Sequence, residues 1–108
     1  MTDLEDTHSE LTDAELKEKL QGEISPIPWK ELQMHFARGI TIFISPELDF
    51  FDAVFQISKN NTSLVERWMA EKKLDRVMDD QAKEWFDTKA SLMTAIVKPW
   101  VLLQTISD

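Results

Sequence analysis

The segment LMTAIVKPWVLL, residues 92–103, carries the strongest strand signal of this chain. Its first six residues form a largely apolar run, which is typical of a strand covered on both faces. A two-residue hairpin at Lys98-Pro99 is not expected, because such turns favour Gly or Asn at positive φ. We therefore expect one long strand with a bend, or two strands offset by an irregular link.

A helix bounded at both ends precedes another apolar run. The stretch IPWKELQMHFARG covers residues 27–39. Pro28 suits the first turn of a helix, because its missing N–H would have no partner there. Gly39 is expected to end the helix. Ile40–Ile44 is short and rich in β-branched residues, which predicts a buried strand. We interpret Ser25–Pro28 as a short rigid link.

Capping signals place the other helices. Thr12 and Glu15 match a capping box, in which two side chains satisfy free backbone donors reciprocally. Ser45-Pro46-Glu47 predicts the start of another helix. Two further helices are expected, around residues 64–69 and 80–86, and residues 74–78 between them are a candidate short strand. The sequence thus predicts a single α+β domain over residues 12–108, with a small sheet of two to four strands packed against four or five short helices. Residues 1–11 are expected to be a disordered acidic segment.

Composition narrows the class of protein. The chain has 108 residues, no cysteine, two glycines and a formal net charge of −8, and eight of its twenty acids lie within residues 1–23. Without cysteine, a thiolate nucleophile and Cys-ligated metal sites are excluded. Two glycines are too few for a glycine-rich phosphate loop. No signal peptide and no membrane-spanning run is visible, so we expect a cytoplasmic protein with no membrane partner.

Four polar residues form the candidate site for a ligand or partner. They are Glu31, His35, Arg38 and Asp49. Glu31 and His35 are four residues apart on the predicted helix, so the two side chains can hydrogen-bond. Arg38 lies in the last turn, where the helix dipole favours a cation. The ordinary interpretation is a boundary histidine and a capping arginine. No catalytic residue, no metal site and no cofactor is predicted.

The basic residues do not favour nucleic-acid binding. Phosphate contacts require clustered Lys and Arg, and the folded part of this chain is nearly balanced in charge. The one candidate patch consists of Arg67, Lys72, Lys73 and Arg76, which is also the pattern of a solvated helix end. A nucleic-acid partner is therefore not expected.

Three segments together resemble a known family. IPWKELQMHFARG, SPELDFFDAVF and AIVKPWVLLQ follow one another in the order found in the small bacterial proteins catalogued as domain of unknown function 2288. The resemblance spans about residues 16–104. It implies a bacterial, cytosolic, stand-alone α+β domain and carries over no catalytic residue. Lys98 stands before Pro99 where the family pattern leads us to expect a small residue.

Two functions remain open on these grounds. The first is a small non-enzymatic interaction protein, whose partner is an unidentified protein or a second copy of the chain. In that case a sheet edge around residues 92–103 would pair with a strand of the partner. The alternative is an enzyme or small-ligand-binding protein that uses the polar strip at the end of the helix over residues 28–38.

Overall fold

The computed structural model describes residues 11–106, and the predicted disordered segment 1–11 lies, except for its last residue, outside this range. The described part contains five helices and five strands. The helices are α1 Asp13–Gln21, α2 Trp29–Ala37, α3 Phe50–Ser58, α4 Thr62–Ala70 and α5 Asp79–Thr88. The strands are β1 Ser25–Pro28, β2 Thr41–Ile44, β3 Leu74–Arg76, β4 Ser91–Val97 and β5 Trp100–Thr105.

All five strands belong to one sheet with the order β1-β4-β5-β2-β3. The pair β5–β2 is parallel, and the other three pairs are antiparallel. The predicted α+β class and single domain are confirmed, and the number of helices agrees with the prediction. The prediction of two to four strands was wrong, because the sheet has five.

The segment over residues 92–103 forms a tight hairpin. Val97 pairs with Trp100, so Lys98 and Pro99 alone make the turn between β4 and β5. The Lys98–Pro99 peptide bond is cis, and neither residue has a positive φ. A cis proline at the third position of a turn defines type VI. The prediction against a hairpin was wrong, because it considered only turns that need positive φ.

The hydrogen bonds of β5 fix the direction of the backbone groups in β4. Val101 N donates to Ile40 O, 2.9 Å away, on the β2 side of the sheet. Val101 and its partner Ile96 therefore form a pair without mutual hydrogen bonds. Because the pattern alternates, Leu92, Thr94 and Ile96 direct their N–H and C=O groups away from β5.

Strand β1 is the strand that the sequence did not reveal. Ser25 lies opposite Thr94 and Ile27 lies opposite Leu92, so these residues of β1 meet the outward groups of β4. Pro26 and Pro28 alternate with them, at positions where an N–H would point away from the sheet. Proline is compatible with an edge strand in this orientation. The interpretation of residues 25–28 as a link was wrong for this reason.

Helices cover both faces of the sheet. On one face, α1, α3 and α4 pack around a core that includes Phe50, Val54 and Trp68. On the other face, α2 and α5 pack through Trp29 and Trp85, whose rings meet edge to face with centroids 5.2 Å apart. β5 supplies buried side chains to both cores. This double coverage explains the continuous apolar run that predicted the central strands.

The start of α3 differs from the prediction. Asp49, rather than Ser45, is the N-cap, and its carboxylate accepts a hydrogen bond of 2.9 Å from Asp52 N. Ser45 Oγ instead accepts from Glu47 N, 3.1 Å away, within the preceding turn. The predicted ends of α2 are closer to the structure: the helix ends at Ala37, and Gly39 follows with a φ of 75°.

Candidate functional site

A groove with a cavity volume of about 1260 Å³ opens beside β4, next to Ser25, the first residue of β1. We call it the β4 groove. Its floor is the strand segment Thr94–Val97, one wall is α1 and the opposite wall is α2. Its lining residues are Leu11, Asp13, Leu16, Lys19, Leu20, Glu23, Ser25, Ile27, Glu31, Leu32, His35, Ser58, Lys59, Thr94, Ala95, Ile96, Val97, Lys98 and Val101.

The groove exists because β4 is longer than its outer partner. The last pair between β1 and β4 joins Ser25 to Thr94, while β4 continues to Val97. Within residues 11–106, no strand pairs with the segment 95–97 on the side away from β5. The chain preceding β1 leaves the sheet here and leads back to α1. Three residues of a strand edge therefore lie open at the floor of the groove.

Ile96 is the residue whose backbone faces this opening. Its N–H and C=O point away from β5, as the alternation along β4 requires. No hydrogen bond to Ile96 N is present in the described range. The side chain of Ile96 is 54% exposed, whereas neighbouring Ala95 is 2% exposed. The groove thus offers one free backbone donor and acceptor next to an exposed β-branched side chain.

The α1 wall is fixed by its own cap and by an ion pair. Thr12 and Glu15 form the predicted capping box, with Glu15 N donating to Thr12 Oγ1 over 3.1 Å. Asp13 Oδ1 lies 2.9 Å from Lys59 Nζ at the end of α3. Leu20 is buried in the core below. These contacts hold the helix beside the open strand edge.

Two of the four candidate residues lie together in the groove. Glu31 and His35 both belong to the α2 wall. Arg38 is the C-cap residue of α2, as its dipole position suggested, and it does not line the groove. Asp49 lines a separate cavity of about 570 Å³ next to Phe51 and Gln104. The structure therefore brings together Glu31 and His35 and separates them from the other two.

The second cavity has a structural explanation. Gln104 Nε2 donates to Ser45 O and to Leu48 O, each at 2.9 Å, and so ties the loop before α3 to the end of β5. Asp49 caps α3 in the same loop. Both polar side chains are thus engaged with backbone groups. Asp49 has a defined local role here, and the other polar side chains that line the cavity are Gln21 and Glu47.

One ring nitrogen of His35 makes no hydrogen bond within the described residues. The residue is partly buried, and its Nδ1 atom is buried without a hydrogen-bond partner in the described part of the chain. The predicted Glu31–His35 hydrogen bond is not formed. Buried polar atoms are normally paired, so this nitrogen distinguishes His35 from an ordinary boundary histidine.

The charged residues around the groove are balanced. Its acids are Asp13, Glu23 and Glu31, and its bases are Lys19, Lys59 and Lys98. On the α2 wall, Glu31 is the only lining residue with a formal charge when His35 is neutral. Among residues 11–106, no group of three or more His, Cys, Asp or Glu side chains has an arrangement that would hold a metal ion. In the same range, no helix combines the length and apolar character needed to cross a membrane.

The open strand edge is shorter than the edge that the sequence predicted. The predicted edge covered residues 92–103, but β5 lies between β4 and β2, and β1 covers β4 as far as Thr94. Only the segment 95–97 remains open. The signal that was available is the spacing of Pro26 and Pro28, which fits an edge strand. No pattern within the sequence marks the position at which β1 stops pairing.

The fold has a solved counterpart. The chain is similar to the protein in the NMR solution structure of PA1075 from Pseudomonas aeruginosa, with 31% sequence identity and a TM-score of 0.74. The similarity covers 93% of this chain and 92% of that one. No curated protein matches the chain. The model of the family described as "Protein of unknown function (DUF2288)" matches residues 15–105, and the chain therefore belongs to that family, as its three sequence segments predicted.

Proposed function

We propose that the protein is a non-enzymatic interaction module that binds an extended polypeptide segment in the β4 groove. The observation that carries the proposal is the open edge of β4 at residues 95–97. An extended segment that enters the groove would add a strand to the sheet in line with β1. Main-chain hydrogen bonds to Ile96 would supply affinity, as in other cases of strand addition.

The shape of the groove favours a single chain over a folded sheet. Helix α1 lines one wall and α2 lines the other, on opposite faces of the strand that they enclose. An incoming segment needs only the width of one strand, about 5 Å. A second copy of this protein would bring its own α1 and α2 to the same place. We therefore propose a segment of a partner protein as the occupant rather than a second copy.

We place the module in the cytoplasm of a bacterium. A chain without cysteine needs no oxidising compartment for folding. The source of the similar solved structure, Pseudomonas aeruginosa, supports a bacterial origin. Fractionation of cells that produce the native chain checks this part, and recovery in a membrane or secreted fraction contradicts it.

A displayed library of random peptides tests strand addition. Peptides selected on the purified protein are expected to slow hydrogen exchange at the Ile96 amide, because strand addition gives this donor a partner. They are also expected to lose binding to Ile96→Pro, which lacks the outward N–H. The matched control is Arg76→Pro, which removes an outward N–H at the other edge of the sheet.

Peptide binding by the two proline variants and amide exchange at Ile96 decide whether the proposal holds. Binding retained by Arg76→Pro and lost by Ile96→Pro supports the proposal, provided that circular dichroism shows both variants to be folded. If Ile96→Pro does not fold, amide exchange on the unmodified protein decides alone. Selected peptides that leave the Ile96 amide unprotected, or a library that yields no binder, contradict the proposal.

A second candidate function rests on the buried, unpaired Nδ1 of His35. A small polar ligand with a hydrogen-bond donor would pair with this atom after a modest side-chain movement, and Glu31 lines the same wall. A thermal-shift screen of small molecules tests this function. A ligand that stabilises the wild type and the Arg38→Ala control, but not His35→Ala, supports it. Equal shifts in all three proteins exclude His35 from the site.

A further inference from the structure

The two walls of the β4 groove differ in chemistry, and this difference bears on the partner's sequence. Side chains alternate along β4, with Leu92 in the core under α2 and Ala95 in the core under α1. Ile96 therefore faces the α2 side, and Ala95 and Val97 face the α1 side. An added strand alternates in the same way, so its residues meet the two walls in turn.

The residue opposite Ile96 would meet the α2 wall. In a strand pair, directly opposed residues project to the same face. The groove-lining side chains of α2 are Glu31, Leu32 and His35. Leu32 is buried in the core, Glu31 is exposed, and the buried Nδ1 of His35 lacks a partner. This wall offers the Glu31 carboxylate to a side chain that carries hydrogen-bond donors.

The residues on either side would meet the α1 wall. Here the groove is lined by Leu16 and Leu20 next to Ala95 and Val97. Apolar side chains on the segment would bury area against these residues, which is the main favourable term in association. Lys19 is also on this wall, and it disfavours a basic side chain there.

We infer that the segment bound in the β4 groove has a basic residue at its centre, opposite Ile96, with an apolar residue on each side. This inference rests on the proposed function, because it assumes strand addition at β4. Charge complementarity with Glu31 selects the central residue.

Three synthetic peptides test the inference. They have blocked ends and the cores leucine–lysine–leucine, leucine–glutamine–leucine and leucine–glutamate–leucine. The lysine peptide is expected to bind about two- to fivefold tighter than the glutamine peptide, the range for an exposed ion pair. The glutamate peptide is expected to bind weakest. Fluorescence anisotropy at low and high salt measures the three dissociation constants.

Two variants test whether the α2 wall causes the preference for the lysine peptide over the glutamine peptide. Glu31→Gln is expected to remove the preference for lysine over glutamine while the glutamine peptide still binds. Glu66→Gln removes the same charge from the exposed surface of α4, outside the groove, and is expected to keep the preference. A lysine preference that survives in Glu31→Gln overturns the inference.

The remaining outcomes distinguish the inference from the proposed function. Equal binding of all three peptides, with the Ile96 amide protected in each complex, overturns the basic centre and leaves strand addition in place. Tightest binding of the glutamate peptide overturns the inference in the same way. Absence of binding by all three, with no protection of Ile96 by any peptide of the random library, overturns both.

Discussion

The sheet has two edges, and they are protected against pairing with other chains in different ways. At the β3 edge, the strand has three residues, and Arg76 N donates to the carboxylate of Asp75 over 2.8 Å. At the opposite edge, β1 presents Pro26 and Pro28, which have no outward N–H to offer. Beyond β1, however, Ile96 N–H is open at the floor of the β4 groove. Short strands, prolines and charges are the usual protections of an edge, and the segment 95–97 has neither a proline nor a charged side chain.

The difference between the two edges identifies the position at which we propose that this molecule accepts another chain. A protected edge resists unwanted pairing with other chains. Along the outward side of β4, β1 covers Leu92 and Thr94 and leaves Ile96 uncovered. The segment 95–97 also lies between the walls formed by α1 and α2, and these walls leave room only for a narrow, extended chain. The following four experiments test this difference between the two edges, in decreasing order of expected effect.

Trp29→Ala is expected to have the largest effect, because Trp29 anchors α2 and the end of β1. Its side chain is 2% exposed and packs against Trp85 and Phe36. Loss of a buried tryptophan side chain costs about 3–5 kcal/mol of unfolding free energy. Chemical denaturation measures this loss. Met34→Ala, on the exposed side of the same helix, is the control and is expected to change stability by less than about 0.5 kcal/mol.

Proline substitutions at two neighbouring positions test the orientation of β4. Ala95→Pro removes an N–H that points to β5 and places a larger ring in the core, whereas Ile96→Pro removes the outward N–H. We expect Ala95→Pro to destabilise the fold by at least about 2 kcal/mol more than Ile96→Pro. Denaturation curves compare the two variants. Equal losses contradict the assignment of Ile96 as the outward residue.

Thr12→Ala tests the α1 wall of the groove. The substitution removes the hydroxyl that caps α1 and leaves Glu15 N without its partner. A lost N-cap costs about 1 kcal/mol, and we expect the faster amide exchange to be confined to the first turn of α1. Ser63→Ala removes an exposed hydroxyl from α4 and serves as the control, with no change in α1. Equal exchange in both variants contradicts a role for Thr12 in holding the wall.

Asp75→Ala is expected to have the smallest effect on stability and a local effect on the β3 edge. It removes the carboxylate that accepts from Arg76 N. Because this hydrogen bond is exposed, we expect a change in unfolding free energy below about 0.5 kcal/mol. Hydrogen exchange at the Arg76 amide should become faster, while exchange at the Ile96 amide stays the same. An unchanged Arg76 amide contradicts the view that Asp75 protects this edge.

The sequence predicted several local features for clear physical reasons. The capping box at Thr12 and Glu15 and the end of α2 before Gly39 depend on neighbouring residues only. The apolar runs that became β2, β4 and β5 reflect burial on both faces. The α+β class follows from the order of these elements. The family resemblance was confirmed over most of the chain.

Strand β1 and the set of residues that line the candidate site could not be predicted from neighbouring residues in the sequence. Residues 25–28 have two prolines and no hydrophobic alternation, and only the partner strand β4 gives them an extended, paired conformation. Glu31 and His35 lie together in the β4 groove because one helix turn separates them. Arg38 and Asp49 lie close to them in sequence, but the direction of α2 and the loop before α3 take them elsewhere.

The sequence was enough to predict the local elements: the helices, the capping box of α1, the apolar central strands and the absence of a cysteine-based or phosphate-loop chemistry. Only the tertiary structure shows which strand covers which, because pairing depends on residues far apart in the chain. It alone shows that β1 pairs with β4 only as far as Thr94 and that β4 continues to Val97. The candidate function rests on that difference in length.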